Sequence, residues 1–273
     1  MRILVAIHDL SIIDNVLQFA AQIALKVDEP LAILAAIEST ADHPPDRVDA
    51  ILTEACQRAA IPAAQTQIQM GEPIKNILDE ARRGNYDLVI VGDLTNHRPA
   101  RLFGVSHAIR IAERATCPVI VVKGKAGPTQ RILLCDSGSE GSPLLRRFTA
   151  QLADLLPGEE QVTVLHVMSQ ISAGPGVRGK QLRVSADELI EEHTPEGELL
   201  KQDIRSLEQS RLHPIPKVRH GLVVDEILDE ARSGDYDLVV IGAYIGEGWG
   251  RFLLEDLAHK ILVQIDRPVL LVR

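Results

Sequence analysis

Short aliphatic runs alternate along the chain with stretches in which apolar residues recur every three to four positions. Ile3–Ile7 reads as a buried strand. Asp14–Val27 has helical spacing, with Val16, Leu17, Ala20, Ile23 and Ala24 on one face. Leu31–Ile37 is a strand, Val48–Ala60 is helical, and Gln65–Met70 alternates like a strand. Ile74–Arg83 is a helix, with Pro73 near its first turn and Gly84 as its stop. Leu88–Val91 and Val119–Val122 are aliphatic strands, with a helix from about Ser106 to Arg114 between them. This βα alternation predicts an α/β fold with a mostly parallel, doubly wound sheet. Ligands of such sheets sit outside the carboxyl ends of the strands.

The pattern then repeats. Gly71–Val122 and Gly221–Val272 align without a gap: Ile-Leu-Asp-Glu-Ala-Arg, the Gly-x-Tyr-Asp-Leu-Val run, Gly92 with Gly242, Arg101 with Arg251, and Pro118 with Pro268 all coincide. In the front halves Arg2-Ile-Leu-Val-Ala-Ile matches Arg131-Ile-Leu-Leu-Cys-Asp. The second copy is longer between about 169 and 198, and Gly124-Lys-Ala-Gly-Pro-Thr-Gln links the copies. Two tandem domains are predicted, 1–123 and 130–273.

Composition narrows the function classes. The chain has 273 residues, 45% hydrophobic and 25% charged, enough for two packed cores. Aromatic content is 3%, so the core is aliphatic. A net charge of −9 argues against nucleic acid or an anionic membrane as partner. No apolar run nears the roughly 18–20 residues of a membrane helix. The first residues read as a strand rather than a signal peptide. Three widely spaced cysteines, Cys56, Cys117 and Cys135, exclude a disulfide framework or a cysteine zinc site and fit the cytoplasm.

The ordered motifs are a strand ending near an acid, a second strand of Leu-His-Val type, Gly-x5-Ile-Leu, Tyr-Asp-Leu-Val-Val-Ile-Gly and a Gly-bearing loop. A helix and Cys-Pro-Val-Ile-Val-Val or Arg-Pro-Val-Leu-Leu-Val complete the series. The whole chain resembles the universal stress protein family. The resemblance implies two domains of adenine nucleotide alpha hydrolase-like fold, each with a five-stranded parallel sheet. It also implies pairing of the domains within the chain through the final strands, Val119–Val122 and Val269–Val272, and allows a homodimer beyond that.

Nucleotide-binding members carry Gly-x-x-Gly-x9-Gly-[Ser/Thr] after the fourth strand, where small residues and a helix N-terminus let backbone N–H groups reach phosphate. Counting back from Pro118 and Pro268, those positions hold Gly92, Thr95, Val105 and Ser106 in the first copy. In the second they hold Gly242, Ile245, Glu255 and Asp256, with Gly246 one residue beyond the second glycine position. The resemblance implies Asp136 as the acid that holds adenosine in the second copy, with His8 at that position and Asp9 beside it in the first. Ala36 and Val167 are the implied contacts from the second strands. Arg101 and Arg251 either reach a ligand phosphate or pair with acids of the neighbouring domain.

Charge separates the copies. At the expected helix start of the second copy, Glu255 and Asp256 repel phosphate, by about 4 kcal/mol per pair at roughly 4 Å and an effective dielectric near 20. The alternative reading is a helix that caps itself. In the first copy Ser106 is a candidate cap and phosphate ligand, and Arg98 and Arg101 supply cations; the alternative is a solvated basic loop.

Other motifs resolve without chemistry. Gly174-Pro-Gly-Val-Arg-Gly-Lys-Gln181 approaches a Walker A loop but lacks its final Ser or Thr. Ser137-Gly-Ser-Glu-Gly-Ser142 resembles the loop of pyrophosphate-releasing ATPases, yet Gly141 replaces that motif's Asp and Ser142-Pro143 is well explained as a helix cap followed by Pro at the first helical position. The nine histidines lack metal spacing, and no nucleophile elbow occurs. The reading is a cytoplasmic stress-response binding or sensor protein without catalytic residues or metal, taking ATP or AMP as ligand. The alternatives are an interaction module of the same fold without nucleotide and, behind it, an ATP-dependent enzyme.

Overall fold

The computed structural model describes residues 1–38, 44–61, 64–94, 106–124, 127–136, 142–156, 161–169, 184–210, 212–242 and 250–272. It divides into two compact units. The first comprises Met1–Pro128 with Leu155–Pro157 and Asp266–Leu271; the second comprises Thr129–Asp154, Gly158–Ile265 and Val272–Arg273.

In the first unit the strands are β1 (Ile3–Ile7), β2 (Ala32–Ile37), β3 (Gln65–Met70), β4 (Leu88–Gly92) and β5 (Val119–Val122). The helices are α1 (Ile13–Ala24), α2 (Pro45–Arg58), α3 (Pro73–Arg83) and α4 (His107–Arg114). The strands run in the order β3-β2-β1-β4-β5, all parallel. β1, β4 and β5 are buried along their whole length, as the aliphatic runs predict. Strand β10 (Val269–Val272), though last in sequence, lies antiparallel on β5, with Leu270 opposite Ile120.

Local signals act as the sequence suggests. Pro73 sits in the first turn of α3, and Gly84 is its C-cap. Ser106 caps α4, its hydroxyl accepting from the Ile109 N–H at 3.2 Å. One helix differs. The predicted Asp14–Val27 helix begins at Ile13, after a one-turn 3-10 helix over Leu10–Ile12 that Asp9 caps.

The second unit holds β6 (Arg131–Cys135), β7 (Gln161–Ser169), β8 (His213–Gly221) and β9 (Leu238–Gly242), parallel in the order β9-β6-β7-β8. Its helices are α5 (Ser142–Leu155), α6 (Ala186–Glu191), α7 (Pro195–Glu208), α8 (Val223–Ser233) and α9 (Gly250–Gln264). The extra length of this copy carries α6, closed by a capping box between Ser185 and Glu188. Helix α6 packs on α7, and α7 packs on β7 and β8. The Walker-like segment lies outside the described residues. Among the described residues no helix is long and apolar enough to cross a membrane.

Candidate functional site

Strand β1 delivers His8 to its carboxyl end. The ring is buried, and its Nε2–H donates to the carbonyl of Gly92, the last residue of β4, at 2.8 Å. Burial lowers the His8 pKa, with the Gly92 hydrogen bond opposing. The neutral ring that results carries its proton on Nε2 and presents Nδ1 as an acceptor. His107, the first residue of α4, packs edge-on against His8 with ring centroids 5.3 Å apart. The carboxyl ends of β1 and β4 therefore meet the N-terminus of α4 through His8, Gly92, Ser106 and His107. An open cleft of about 760 Å³ adjoins His107, bounded by Glu38 after β2, Gly71 after β3, and Lys75, Arg82 and Arg114.

The other first-copy residues separate. Asp9 turns its carboxylate onto its own turn, accepting from Ser11 N at 2.8 Å and Ser11 Oγ at 2.6 Å. Ala36 is buried within β2. A Cβ on Gly92 would stand 2.4 Å from Val16 Cγ2 and 2.8 Å from Ile12 Cδ1, so the close approach of α1 to β4 already requires glycine there. Thr95, Arg98, Arg101 and Val105 lie outside the described residues.

The second copy is built differently at the same place. Under the gapless repeat Val91 corresponds to Ile241; Ala6 pairs with Val91 and Cys135 with Ile241. Asp136 thus takes the place of Ile7. The expectation that His8 stands at the Asp136 position is corrected by this one-residue shift, which in a strand exchanges the two faces. Asp136 is buried, and its Oδ2 lies 3.7 Å from Nη1 of Arg146 on α5. The same Nη1 donates to Oδ1 of Asp203 on α7. Burial pushes the Asp203 carboxyl up to about 7, with Asp136 adding to the rise and Arg146 opposing it.

A second correction concerns the acids expected at the helix start. Helix α9 begins at Gly250, so Glu255 and Asp256 lie within it rather than at its N-terminus. Asp256 is exposed and pairs with Lys260 at 2.6 Å, one turn on. Both positions lie more than one turn past the start of α9, and the phosphate repulsion argued from a place at the helix start lapses. Arg251 lies in the first turn of α9. Val167 is half-buried in β7, and Gly242 ends β9 with ordinary room for a Cβ, 3.7 Å from Leu145. Gly246 and Ile245 lie outside the described residues, as does the Ser137–Gly141 part of the ATPase-like loop.

Sequence reasoning missed two ionic features. Lys123 and Asp93 pair at 3.4 Å beyond β5 and β4. The Asp136–Arg146–Asp203 cluster had a legible signal: Arg146 stands among the buried helix residues Leu145, Thr149, Ala150 and Ala153, and Asp203 stands between the buried Leu200 and Leu207. Among the described residues, no group of three or more His, Cys, Asp or Glu is placed to hold a metal ion.

The model of the universal stress protein family matches residues 1–123 and again 128–273. The chain belongs to the universal stress protein family. Both units carry the adenine nucleotide alpha hydrolase-like fold. A universal stress protein from Archaeoglobus fulgidus DSM 4304 is similar over 99% of this chain and 96% of its own, with 12% identity and a TM-score of 0.64. A functionally unknown protein from Pseudomonas aeruginosa PAO1 is similar over 100% and 92%, with 15% identity and a TM-score of 0.68. At such identities these likenesses describe the fold. No curated protein matches the chain.

Proposed function

We propose that this universal stress protein is a cytoplasmic stress-response protein that binds rather than catalyses, and that its first domain takes up an adenine nucleotide. One observation carries the reading: His8, Gly92 and the N-terminus of α4 meet at the carboxyl ends of β1 and β4. Neutral His8 offers Nδ1 as an acceptor for a ribose hydroxyl or an exocyclic amine. The Ser106 hydroxyl accepts from Ile109 N–H and has its own O–H to donate to a phosphate oxygen. The helix N-terminus adds its partial positive charge. In the second domain Asp136 is engaged by Arg146, a reason for weak binding that differs from the acid repulsion inferred from sequence.

Titration calorimetry with ATP and AMP tests this. We expect one equivalent of nucleotide per chain, at least tenfold weaker binding in His8→Ala with Ser106→Ala, and unchanged affinity in Asp136→Asn. A chain that takes up no nucleotide and releases none on denaturation is instead an interaction module of the same fold. Nucleotide turnover by the wild type would make it an enzyme.

A further inference from the structure

The Asp136–Arg146–Asp203 cluster has a consequence beyond occupying Asp136. Asp136 just after β6, Arg146 on α5 and Asp203 on α7 each contribute one ionisable side chain, and these are only 2%, 6% and 4% exposed. Two acids and one base cannot all be charged in that volume without a net buried negative charge, which is costly. With one proton held between the acids the cluster is neutral. We propose that α7 is a proton-operated latch on the second domain: Asp203 holds α7 onto Arg146 and Asp136 while the cluster keeps one proton, and loss of that proton loosens α7 and uncovers Asp136.

The surroundings support a local device. The charged groups acting on Asp203 are Asp136 and Arg146. On α7 itself, Glu198, Lys201 and Arg205 line a cleft of about 530 Å³ that reaches Arg146, which gives solvent a route toward the cluster. On α6, Glu188 is taken up by the Ser185 cap. On α8, Glu230 is held by Lys217, Arg219 and Tyr236. No other acid is therefore set to replace Asp203 in the latch among these described neighbours. Release also exposes Leu200 and Leu207 on the buried face of α7, so the helix opens as a minor state rather than detaching.

The sign follows from the proton balance. Asp203 is protonated when latched up to about pH 7 and ionised when released above an ordinary value near 3.8. Between these limits opening releases one proton, so the open fraction rises about tenfold per pH unit, and it levels off above neutrality.

Hydrogen exchange of the α7 amides in the full chain tests the latch, after correction for the intrinsic exchange rate. From pH 5 to pH 7 the opening constant of α7 rises about fiftyfold in the wild type. In Asp203→Asn it is independent of pH, while Glu208→Gln keeps the wild-type dependence. A flat wild-type profile, or an Asn variant that retains the slope, overturns the proposal. Should Asp203→Asn fail to fold, the carbon-13 shift of the wild-type Asp203 carboxyl decides: a midpoint near 7 supports the latch, and one near 4 overturns it.

Discussion

Lys123 Nζ lies 3.4 Å from Asp93 Oδ2, with the two side chains 1% and 0% exposed. The pair stands one residue beyond β5 and β4, next to the Gly92 carbonyl that His8 engages. Burial lowers the Lys123 pKa, and Asp93 opposes that shift. Removing one partner of such a pair costs about 3–5 kcal/mol, because a buried charge is left behind; replacing both by apolar groups costs far less. Lys123→Met is therefore expected to speed exchange of the β4 and β5 amides strongly. Lys123→Met with Asp93→Leu is expected to recover most of the protection. Equal loss in the single and double variants would show that the pair contributes nothing.

The two equivalent glycines should respond differently to the same change. A Cβ on Gly92 meets Val16 at 2.4 Å and Ile12 at 2.8 Å, whereas one on Gly242 meets Leu145 at 3.7 Å. Overpacking a core typically costs about 1–3 kcal/mol. Gly92→Ala should lower the thermal midpoint of the first domain, and Gly242→Ala should leave the second within about 0.5 kcal/mol. The reverse order would mean that Gly92 is kept for a ligand rather than for α1.

The elements were legible where a single physical signal dominated. Leu88–Val91 and Val119–Val122 are unbroken aliphatic runs, and they became strands buried on both faces. Gly84 marked the end of α3 to the residue, and Pro73 marked its start to within one. Legibility failed where distant groups decide. The apolar neighbours of Arg146 and of Asp203 mark each as inward-facing, but the two are 57 positions apart, and only the tertiary fold shows that they meet in one buried cluster. The start of α9 failed for a local reason. The repeat placed it at the equivalent of Ser106, but the second copy has no Ser at 256 to stop the helix, and it extends back to Gly250. The acid position was misplaced by one residue although the match of Arg2–Ile7 with Arg131–Asp136 already sets Ile7 opposite Asp136; the strand register agrees with that match.

Ser106 has a structural role that can be measured apart from any ligand. Its hydroxyl accepts from Ile109 N–H at 3.2 Å, and α4 is only eight residues long, so few other bonds hold its first turn. Ser106→Ala is expected to destabilise the first domain by about 1 kcal/mol, and Ser106→Asp to retain the cap. If Ser106 also binds phosphate, Asp restores stability but not nucleotide affinity, because its carboxylate repels the ligand. Denaturation and calorimetry on the same three proteins separate the roles. Parallel loss or recovery of both properties would contradict the assignment of Ser106 to phosphate.

His8 should make the first domain acid-sensitive. Its folded-state pKa lies below the ordinary value of 6.5, chiefly through burial. As pH falls below about 6.5 the unfolded chain takes a proton that the folded domain refuses, so stability is full above that value and declines below it. The slope reaches at most about 1.4 kcal/mol per pH unit for one such group. Asp9, Asp93 and His107 are the charged or titratable neighbours, and the two acids moderate the effect. His8→Gln keeps an N–H for the Gly92 carbonyl but takes up no proton. Exchange of the β1 amides, compared at pH 5 and pH 7 after correction for intrinsic rates, should show a loss of protection at acid pH in the wild type. The loss should be smaller in His8→Gln. The same pH dependence in both proteins would remove His8 as its source and, with it, the neutral imidazole on which the binding reading relies.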